Sequence, residues 1–544
     1  MIFKNRIGKF VISILLLLSL LGCTGDSSRE IKKRAVELPK LSQMDPNGTL
    51  VLALGGEVSI LNPILSTDTT SSAVEGTIFS GMIRFNKHLE PEPDLATHWK
   101  VSKDGKVWTF YLKKNVFWQD GHPFTAADVK FTFDSILNPK VNTVRRSNYI
   151  IDGVPIKFRV VDKYTVQAIL PKPYAPFIVH AAMSIIPKHL LAGKDINRAE
   201  FNRNPIGTGP FKLADWQVGN HVIVERNENY FGKKPCLKKI IYKIIPDENA
   251  RLVALEAGEI DSAGVPPKDY KRMWTIPSVN IFEYDVLLYV YLGFNLANPI
   301  FRDVTVRQAF AHATNKDQLI SLVLKGLGSR ADVPNAPVSW AYADDVVKYK
   351  YDLKKANALL DQAGWKLNSD GIREKNGKKL AFTIIINQGN KEREKAAIIL
   401  QQQYKKIGAK VKIRVLEWSA LLRIVNAPKG PKNFDAVIMG WSLGLDPDGY
   451  IIWHSSQYPR GFNFIDYKNK KVDHWLEVGR TELNRKKRKA TYAKIYQEIA
   501  KDVPYIFLWY PRAVSAISKR VGGLDPNPGP AGAFLDIEDV FVIK

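Results

Sequence analysis

Short runs of apolar residues recur along the chain, and each is followed by glycine or by polar residues. Such runs occupy residues 50–54, 382–386, 411–416 and 434–439. Runs of this length, bounded by residues that favour turns, predict buried strands. The residues that follow them therefore lie at strand ends, where binding groups are commonly presented.

Residues 101–129 carry turn and helix signals at close intervals. Asp104-Gly105 lies between alternating apolar and polar residues, which predicts a β-hairpin. Further on, Thr125 stands where a helix N-cap is expected. The apolar residues after it return at helical spacing, at Val129, Phe133 and Ile136. The region therefore predicts a hairpin, a turn and a helix with one buried face.

Residues 440–454 follow the strand predicted at 434–439 and combine aromatic, acidic and flexible residues. Two tryptophans, a tyrosine, two aspartates and three glycines fall within this segment. Aromatic walls exclude water and a few polar groups fix a ligand's orientation, so the composition suits a small-molecule cleft. The same residues also fit an ordinary Asp-Pro-Asp-Gly turn whose tryptophans cover the core.

The N-terminus has the pattern of an export signal. Three basic residues precede an apolar block at 10–21, which is too short to span a bilayer. The block ends in Leu-Leu-Gly-Cys, which resembles the lipobox of bacterial lipoproteins. That resemblance implies a signal peptide at 1–22 and lipidation of Cys23, with an uncleaved anchor or an ordinary signal peptide as the alternative. Residues 23–48 have few large apolar side chains and are expected to form a flexible tether.

Size and charge limit the class of protein. At 544 residues the chain is long enough for two or three domains. With Cys23 lipidated, Cys236 is the only other cysteine, so no intramolecular disulfide can form. The net charge of +25 suits an anionic partner, but export separates the protein from nucleic acid. We predict that the densest basic run, residues 485–489, is the solvent-exposed face of a helix, with contact to anionic lipid headgroups as an alternative.

Signals of enzyme chemistry are missing. The sequence holds no Gly-x-Ser-x-Gly motif, neither cysteine has a nucleophile's context, and the nine histidines never fall at metal-ligand spacing. Each histidine is expected to be a surface or packing residue. We therefore predict no catalytic residue, no cofactor and no metal site. An exported enzyme is kept as an alternative, although these missing signals argue against it.

Ordered blocks along the chain resemble one family. The block at 118–129 is similar to the N-terminal signature of the family 5 extracellular solute-binding proteins, the oligopeptide-, dipeptide- and nickel-binding components of ABC importers. Further blocks follow in the family's order at 205–213, 252–261, 292–313 and 352–365. Five ordered blocks are hard to obtain by chance, so the chain is identified as a member of this family.

The resemblance implies an α/β structure with the type II periplasmic-binding-protein fold, in which two hinged lobes close over a ligand. The implied divisions are a discontinuous lobe I at 49–85, 205–293 and 506–544, an extra domain at 86–204 packed on lobe I, and lobe II at 294–505. Membership also implies a monomer that delivers its solute to permease subunits in the membrane.

In peptide-binding members, the turn at 440–450 contacts the amino end of the ligand. It commonly carries Trp-x-x-Asp, whose aspartate pairs with the peptide α-ammonium. This chain departs from the pattern, because Gly444 stands three residues after Trp441 and the Asp-Pro pair arrives one residue early. Either Asp446 or Asp448 replaces the missing aspartate, or the ligand has no free ammonium group. A ligand ammonium group buried without a carboxylate partner is energetically costly. The loss of the family's aspartate should therefore change the class of ligand that binds.

The predicted ligand-binding residues belong to this turn and to neighbouring strand ends. They are Trp441, Ser442, Leu443, Gly444, Asp446, Asp448, Trp418, Gln388 and Arg423. Trp418 fits a core position equally well. Gln388 also fits simple solvent exposure, and Arg423, a candidate cation for a ligand carboxylate, also fits a solvated helix position.

The sequence therefore predicts a lipid-anchored substrate-binding subunit of an ABC importer, facing the periplasm or the cell exterior. It is expected to capture short peptides and to have no catalytic activity. One alternative is the same role for a chelated metal, an opine or an oligosaccharide. Another is a binding module that serves a sensor or acts as an exported chaperone.

Overall fold

The computed structural model describes residues 33–459 and 461–544, and its largest sheet mixes parallel and antiparallel strands, which confirms the α/β class. One half, which we call the lobe I sheet, contains in spatial order Phe211–Gln217, His221–Arg226, Lys239–Ile244, Thr49–Leu54 and Ser262–Gly264. The other half, the lobe II sheet, contains in spatial order Leu288–Phe294, Ala436–Ser442, Ala381–Asn387 and Lys410–Leu416.

One long strand, Tyr505–Ser518, joins the two sheets, and we call it the hinge strand. Its second part pairs antiparallel with Val279–Asp285, and its first part pairs antiparallel with Leu288–Phe294. Pairing thus passes from one sheet to the other within the few residues between Asp285 and Val290. The chain therefore passes between the two sheets twice at adjacent positions, in the hinge strand and in residues 285–290. Such a pair of connections allows two lobes to rotate relative to each other, which is the geometry of a hinge.

A separate four-stranded sheet lies within residues 96–169. Its strands, in spatial order, are Ala96–Val101, Val107–Leu112, Thr165–Ile169 and Lys157–Asp162. The predicted hairpin is confirmed, because its two strands pair antiparallel and Gly105 has φ +69°, a value that favours glycine. Thr125 caps helix Ala126–Leu137 by accepting the N–H of Ala127 at 3.3 Å. The three apolar residues predicted to face the core of this helix are fully buried.

Helices cover the sheets, and several begin at an asparagine or aspartate whose side chain accepts a backbone N–H. The capping residues are Asp68, Asp247, Asp303, Asn315, Asp352, Asn390, Asn469 and Asn484. The corresponding helices are Thr69–Ile78, Glu248–Glu256, Val304–Ala313, Lys316–Leu324, Leu353–Gln362, Lys391–Lys405, Lys470–Thr481 and Arg485–Asp502. Shorter helices include Phe177–His180, Lys188–Leu191, Tyr270–Met273, Pro299–Arg302, Trp418–Val425 and Tyr450–Trp453.

Short strands complete the structure. They are Ile83–Phe85 with Pro91–Pro93, Ile150–Ile151 with Val154–Pro155, Val521–Gly522 with Phe541–Val542, and the set Lys366–Leu367, Arg373–Lys375 and Lys378–Lys379. Gly328–Arg330 pairs with the hinge strand.

Both faces of the lobe II sheet are buried. Along Ala436–Ser442, Ile438 belongs to the apolar core on one face, whereas Val437 and Met439 belong to the core on the other. Successive strand residues point to opposite faces, so a strand covered on both sides needs apolar residues at every position. This is why the sequence shows a continuous apolar run here.

The N-terminal segment differs from its prediction. Residues 33–48 were expected to belong to a flexible tether, yet they lie along the body of the protein. The backbone of Glu37 exchanges hydrogen bonds with the Asn280 side chain, at 3.1 and 2.7 Å, and Lys33 pairs with Glu283 at 2.7 Å. Val36 and Leu38 of this segment also pack against the apolar core. These contacts are made with residues far away in the sequence, so the composition of the segment gave no sign of them.

The signal peptide and the lipidation of Cys23 lie outside the described residues. Within the described ranges, no helix combines the length and the apolar character that a membrane crossing requires. The boundaries proposed for the two lobes and the extra domain stay predictions.

Candidate functional site

Three parallel strands of the lobe II sheet end at one edge. Ala381–Asn387 pairs parallel with both Lys410–Leu416 and Ala436–Ser442. The N–H of Gln388 donates to the carbonyl of Leu416 at 2.7 Å, which keeps these two strand ends side by side. Because ligands of open α/β sheets bind outside the carboxyl ends of the strands, this edge is a candidate binding surface.

The structure brings three predicted site residues to this edge: Gln388, Trp418 and Trp441. Trp418 is the first residue of helix Trp418–Val425, and 44% of it is exposed, so it is not a core residue. Arg423 is exposed in the last turn of the same helix.

Trp441 is half-buried at the end of its strand. It stands opposite Tyr289 in the sheet, and its indole stacks on Phe464 with ring centroids 5.4 Å apart. The next residues turn outward: Ser442 and Gly444 are exposed. The N–H of Leu443 donates to the carbonyl of Leu287 at 2.7 Å. Trp441 thus packs one face of its ring against Phe464 in the core. The turn after it is hydrogen-bonded to Leu287, which precedes strand Leu288–Phe294.

The turn that follows, residues 443–449, which we call the site turn, contains a buried ion pair. Both carboxylate oxygens of Asp446 accept hydrogen bonds from the Arg488 guanidinium, at 2.5 and 2.6 Å. The exposed fractions of the two side chains are 10% and 5%. The prediction that residues 485–489 form a solvent-exposed face is therefore wrong for Arg488, since the site turn packs over that position of helix Arg485–Asp502.

The second carboxylate of the site turn also has a cationic partner. Asp448 Oδ2 lies 3.0 Å from Nε of Arg480, and Asp448 Oδ1 accepts the N–H of Tyr450 at 3.0 Å. Burial raises the pKa of Asp448, and the Arg480 charge opposes that rise. Asp446 and Asp448 are thus both paired within the same half of the molecule, and the assignment of either one to a ligand ammonium stays a prediction.

Residues near positions 90 and 174 contact the helices that carry Arg480 and Arg485, beside the site turn. The Arg480 guanidinium donates to the hydroxyl of Tyr174 at 3.1 Å, and the Arg480 carbonyl accepts the N–H of Ala175 at 2.7 Å. At the rim, Arg485 pairs with Glu90 at 3.1 Å. Arg480 therefore links Asp448 of the site turn to Tyr174 and Ala175.

Two adjoining cavities border the site turn. One, of about 340 Å³, has mainly apolar walls from Phe85, Leu89, Pro91, Trp99, Val101, Trp108, Ala175, Ile178, Val179, Trp340, Leu445 and Leu483, with Asp446, Arg485 and Arg488 at its polar side. The other, of about 390 Å³, shares Phe85, Leu89 and Leu445 with the first. Leu445 of the site turn thus lines both chambers, whose combined size suits a ligand larger than a single amino acid.

Arg393 is a candidate site residue that the sequence analysis did not name. It lies three residues after the helix cap Asn390, and its Nη1 donates to Oδ1 of Asn387 at 2.7 Å. A Cβ on Gly440 would stand 3.4 Å from the guanidinium, so glycine lets Arg393 approach the strand end. Burial lowers the pKa of Arg393. Within the described part of the chain it forms no ion pair.

A sequence signal for Arg393 exists. An arginine in the first turn of a helix opposes the helix dipole, so its position after Asn390 was locally unfavourable. A cation in this position, in contact with Asn387 at the carboxyl end of a buried strand, is a candidate for ligand binding.

Comparison with known proteins identifies the family of the chain. Residues 90–462 match the family described as bacterial extracellular solute-binding proteins, family 5 Middle. The oligopeptide-binding protein AppA of Bacillus subtilis (strain 168) is 37% identical over 538 residues, which cover 96% of this chain and 97% of that protein.

Solved structures give the same result. The structure of AppA from Bacillus subtilis in complex with a nonapeptide superposes with a TM-score of 0.75 at 38% identity, covering 91% of this chain and 99% of that one. NikZ from Campylobacter jejuni in complex with Ni(L-His) superposes with a TM-score of 0.77 at 31% identity, covering 91% and 100%. The predicted type II periplasmic-binding-protein fold is confirmed. The chain therefore belongs to the bacterial extracellular solute-binding proteins of family 5.

Proposed function

We propose that this protein is the substrate-binding component of an ABC importer and that it captures short peptides between its two lobes. The observation that carries the proposal is the position of Leu445, which lines both interlobe chambers from the site turn. A ligand in these chambers touches both halves, so it favours the closed state over the open one. The similarity to an oligopeptide-binding protein along nearly the whole chain supports a peptide as this ligand.

The ligand is proposed to lie along the edge formed by Gln388, Trp418, Trp441 and the backbone of residues 442–445. An extended peptide pairs with exposed main-chain groups, and its side chains enter apolar chambers that tolerate different residues. This arrangement gives affinity without strict sequence preference.

Two cations are candidates for the ligand's carboxylate. Arg393 stands at the strand ends without an acidic partner among the described residues, whereas Arg423 is exposed. A partly buried guanidinium gains more from a carboxylate than a solvated one does, because the surrounding dielectric is lower. We therefore assign the ligand carboxylate to Arg393.

Asp446 and Asp448 are proposed to position the site turn through Arg488 and Arg480. The competing assignment is that one of them pairs with the ligand's α-ammonium. A peptide and its N-acetylated form distinguish the two. Equal affinity supports the positioning role, and a loss of binding on acetylation supports the amine partner.

Native mass spectrometry of the purified protein tests the ligand class. Co-purification of a mixed set of short peptides is expected. A single non-peptide mass would contradict the proposal and would favour a second candidate, a chelated metal, which the similarity to NikZ in complex with Ni(L-His) supports. Release of altered product from added peptide would instead indicate an enzyme.

The protein is further proposed to act as an exported monomer that is anchored through lipid on Cys23. The lipobox-like Leu-Leu-Gly-Cys sequence supports the anchor. A lipid anchor would hold the protein at the membrane, where the permease subunits that receive the solute lie.

A further inference from the structure

Three side chains suited to a metal ion come together at Asp120, His122 and His189. One ligand atom from each lies within 4.8 Å of the other two. Asp120 and His122 belong to the turn after Trp118, and His189 belongs to helix Lys188–Leu191. None of the three lines either interlobe chamber.

The distances within the cluster approach those of a metal centre. His189 Nε2 lies 2.7 Å from Asp120 Oδ2, and His122 Nδ1 lies 3.3 Å from Asp120 Oδ1. Around a tetrahedral zinc ion with bonds of roughly 2.0–2.1 Å, two ligand atoms stand about 3.3 Å apart. The two imidazole rings are stacked with centroids 4.1 Å apart. Because 59% of the His122 side chain is exposed, its ring can rotate to direct a nitrogen at a shared ion.

The turn that carries Asp120 is held in place by its neighbours. Gln119 Nε2 donates to the carbonyl of Phe211 at 2.7 Å, and Gln119 Oε1 accepts the N–H of Gly207 at 2.9 Å. The Trp118 indole is buried, and its centroid lies 6.1 Å from that of His189. With the backbone already fixed, an ion would have to order only side chains, which reduces the entropic cost of binding.

The charges of the cluster favour a cation. The Asp120 carboxylate contacts Nε2 of His189 at 2.7 Å and accepts the backbone N–H of His122 at 3.2 Å. A carboxylate supplies negative charge to a cation, and imidazole nitrogens supply lone pairs.

We propose that Asp120, His122 and His189 bind one divalent transition-metal ion of the zinc and nickel type. Imidazole nitrogens with a carboxylate oxygen form a ligand set for such ions, and water completes the coordination. The ion would bridge the turn and the helix, and this site is independent of the proposed peptide cleft.

Calorimetric titration of the full chain with zinc chloride, and then with nickel chloride, tests the site. One ion per chain is expected near neutral pH. The variant His122→Ala should weaken zinc binding at least roughly tenfold, since even the loss of an outer partner of a metal ligand has that effect. Because His122 is exposed, the circular dichroism spectrum should not change.

A matched control comes from a second histidine and aspartate pair. His221 Nε2 lies 2.7 Å from Asp215 Oδ2, the same separation as His189 and Asp120, but this pair has no second histidine within ligand reach among the described residues. The variant His221→Gln should bind zinc like the wild type. Equal zinc affinity in wild type and His122→Ala would overturn the proposal, as would a loss of binding in His221→Gln. The absorption bands of bound cobalt(II) should likewise disappear only with His122→Ala.

Discussion

Asp446 and Arg488 form a two-point ion pair, in which both guanidinium Nη atoms donate to the two carboxylate oxygens at 2.5 and 2.6 Å. This geometry is the strongest form of side-chain hydrogen bonding between charged groups. Arg488 also donates to the carbonyl of Gly479 at 2.6 Å, so the pair ties the site turn to two helices. The pair therefore fixes the position of Leu445 next to the cleft.

Removal of the Asp446 carboxylate from its pair with Arg488 should destabilise the folded protein. We expect Asp446→Asn to lower the free energy of unfolding by about 3–5 kcal/mol, because it leaves the buried Arg488 charge without compensation. Urea denaturation followed by circular dichroism measures the change. Glu90→Gln is the control, since it removes the partner of the exposed Arg485 and should cost at most about 1 kcal/mol. Equal effects of the two substitutions would show that burial of the first pair has no energetic role.

Arg393 should govern recognition of the ligand's carboxylate. We expect Arg393→Met to weaken binding of a synthetic peptide with a free carboxyl end at least about tenfold, as expected for the loss of a charged hydrogen bond. A peptide with an amidated end should bind both proteins alike. Calorimetry with the two peptides measures this, and Arg423→Met is the matched control on an exposed arginine. An equal loss of affinity for both peptides in Arg393→Met would instead indicate a structural role for Arg393.

The bond from Arg480 to Tyr174 should stabilise the closed state. Because it joins the two halves, Tyr174→Phe should raise the peptide dissociation rate by about tenfold, the value of one hydrogen bond to a charged group. Stopped-flow fluorescence measures the rate. Tyr450→Phe serves as the control, because its hydroxyl contacts Ser456 within the same half. An unchanged dissociation rate in Tyr174→Phe would mean that closure does not depend on this bond.

Low pH should lower the free energy of unfolding of the protein in part through protonation of His180 in the unfolded state. Burial lowers the pKa of His180 to about 4, against roughly 6.5 in an unfolded chain. Protons therefore bind the unfolded state more readily, so this contribution to stability is complete above about pH 6.5 and is lost as the pH falls toward 4. Relative to His180→Gln, the wild type should lose up to about 2 kcal/mol between pH 6.5 and 5. A constant difference between the two proteins across that range would contradict this.

Lipidation at Cys23 should hold the protein on the membrane. We expect the variant Cys23→Ser to appear in the soluble extracytoplasmic fraction, because one substitution removes the only proposed site of acylation. Cell fractionation with immunoblotting measures the distribution. The control is Cys236→Ser, which leaves the lipobox-like sequence intact and should remain with the membrane.

The sequence determined the local elements and the family. A hairpin at Asp104-Gly105 follows from the positive φ that glycine adopts at no cost, and the helix after Thr125 follows from its cap and its apolar spacing. These signals act over a few residues, so they can be read along the chain. The order of the blocks that resemble the family then led from local pattern to overall fold.

Tertiary structure decided which charges are used and where. Arg488 lies in a basic run that predicts solvent exposure, and only the packing of a turn some forty residues away buries it against Asp446. Likewise, His122 and His189 lie far apart along the chain and meet only because the fold brings their segments together. The free energy of a charged side chain depends on the groups around it in space, and a linear pattern carries no record of those groups.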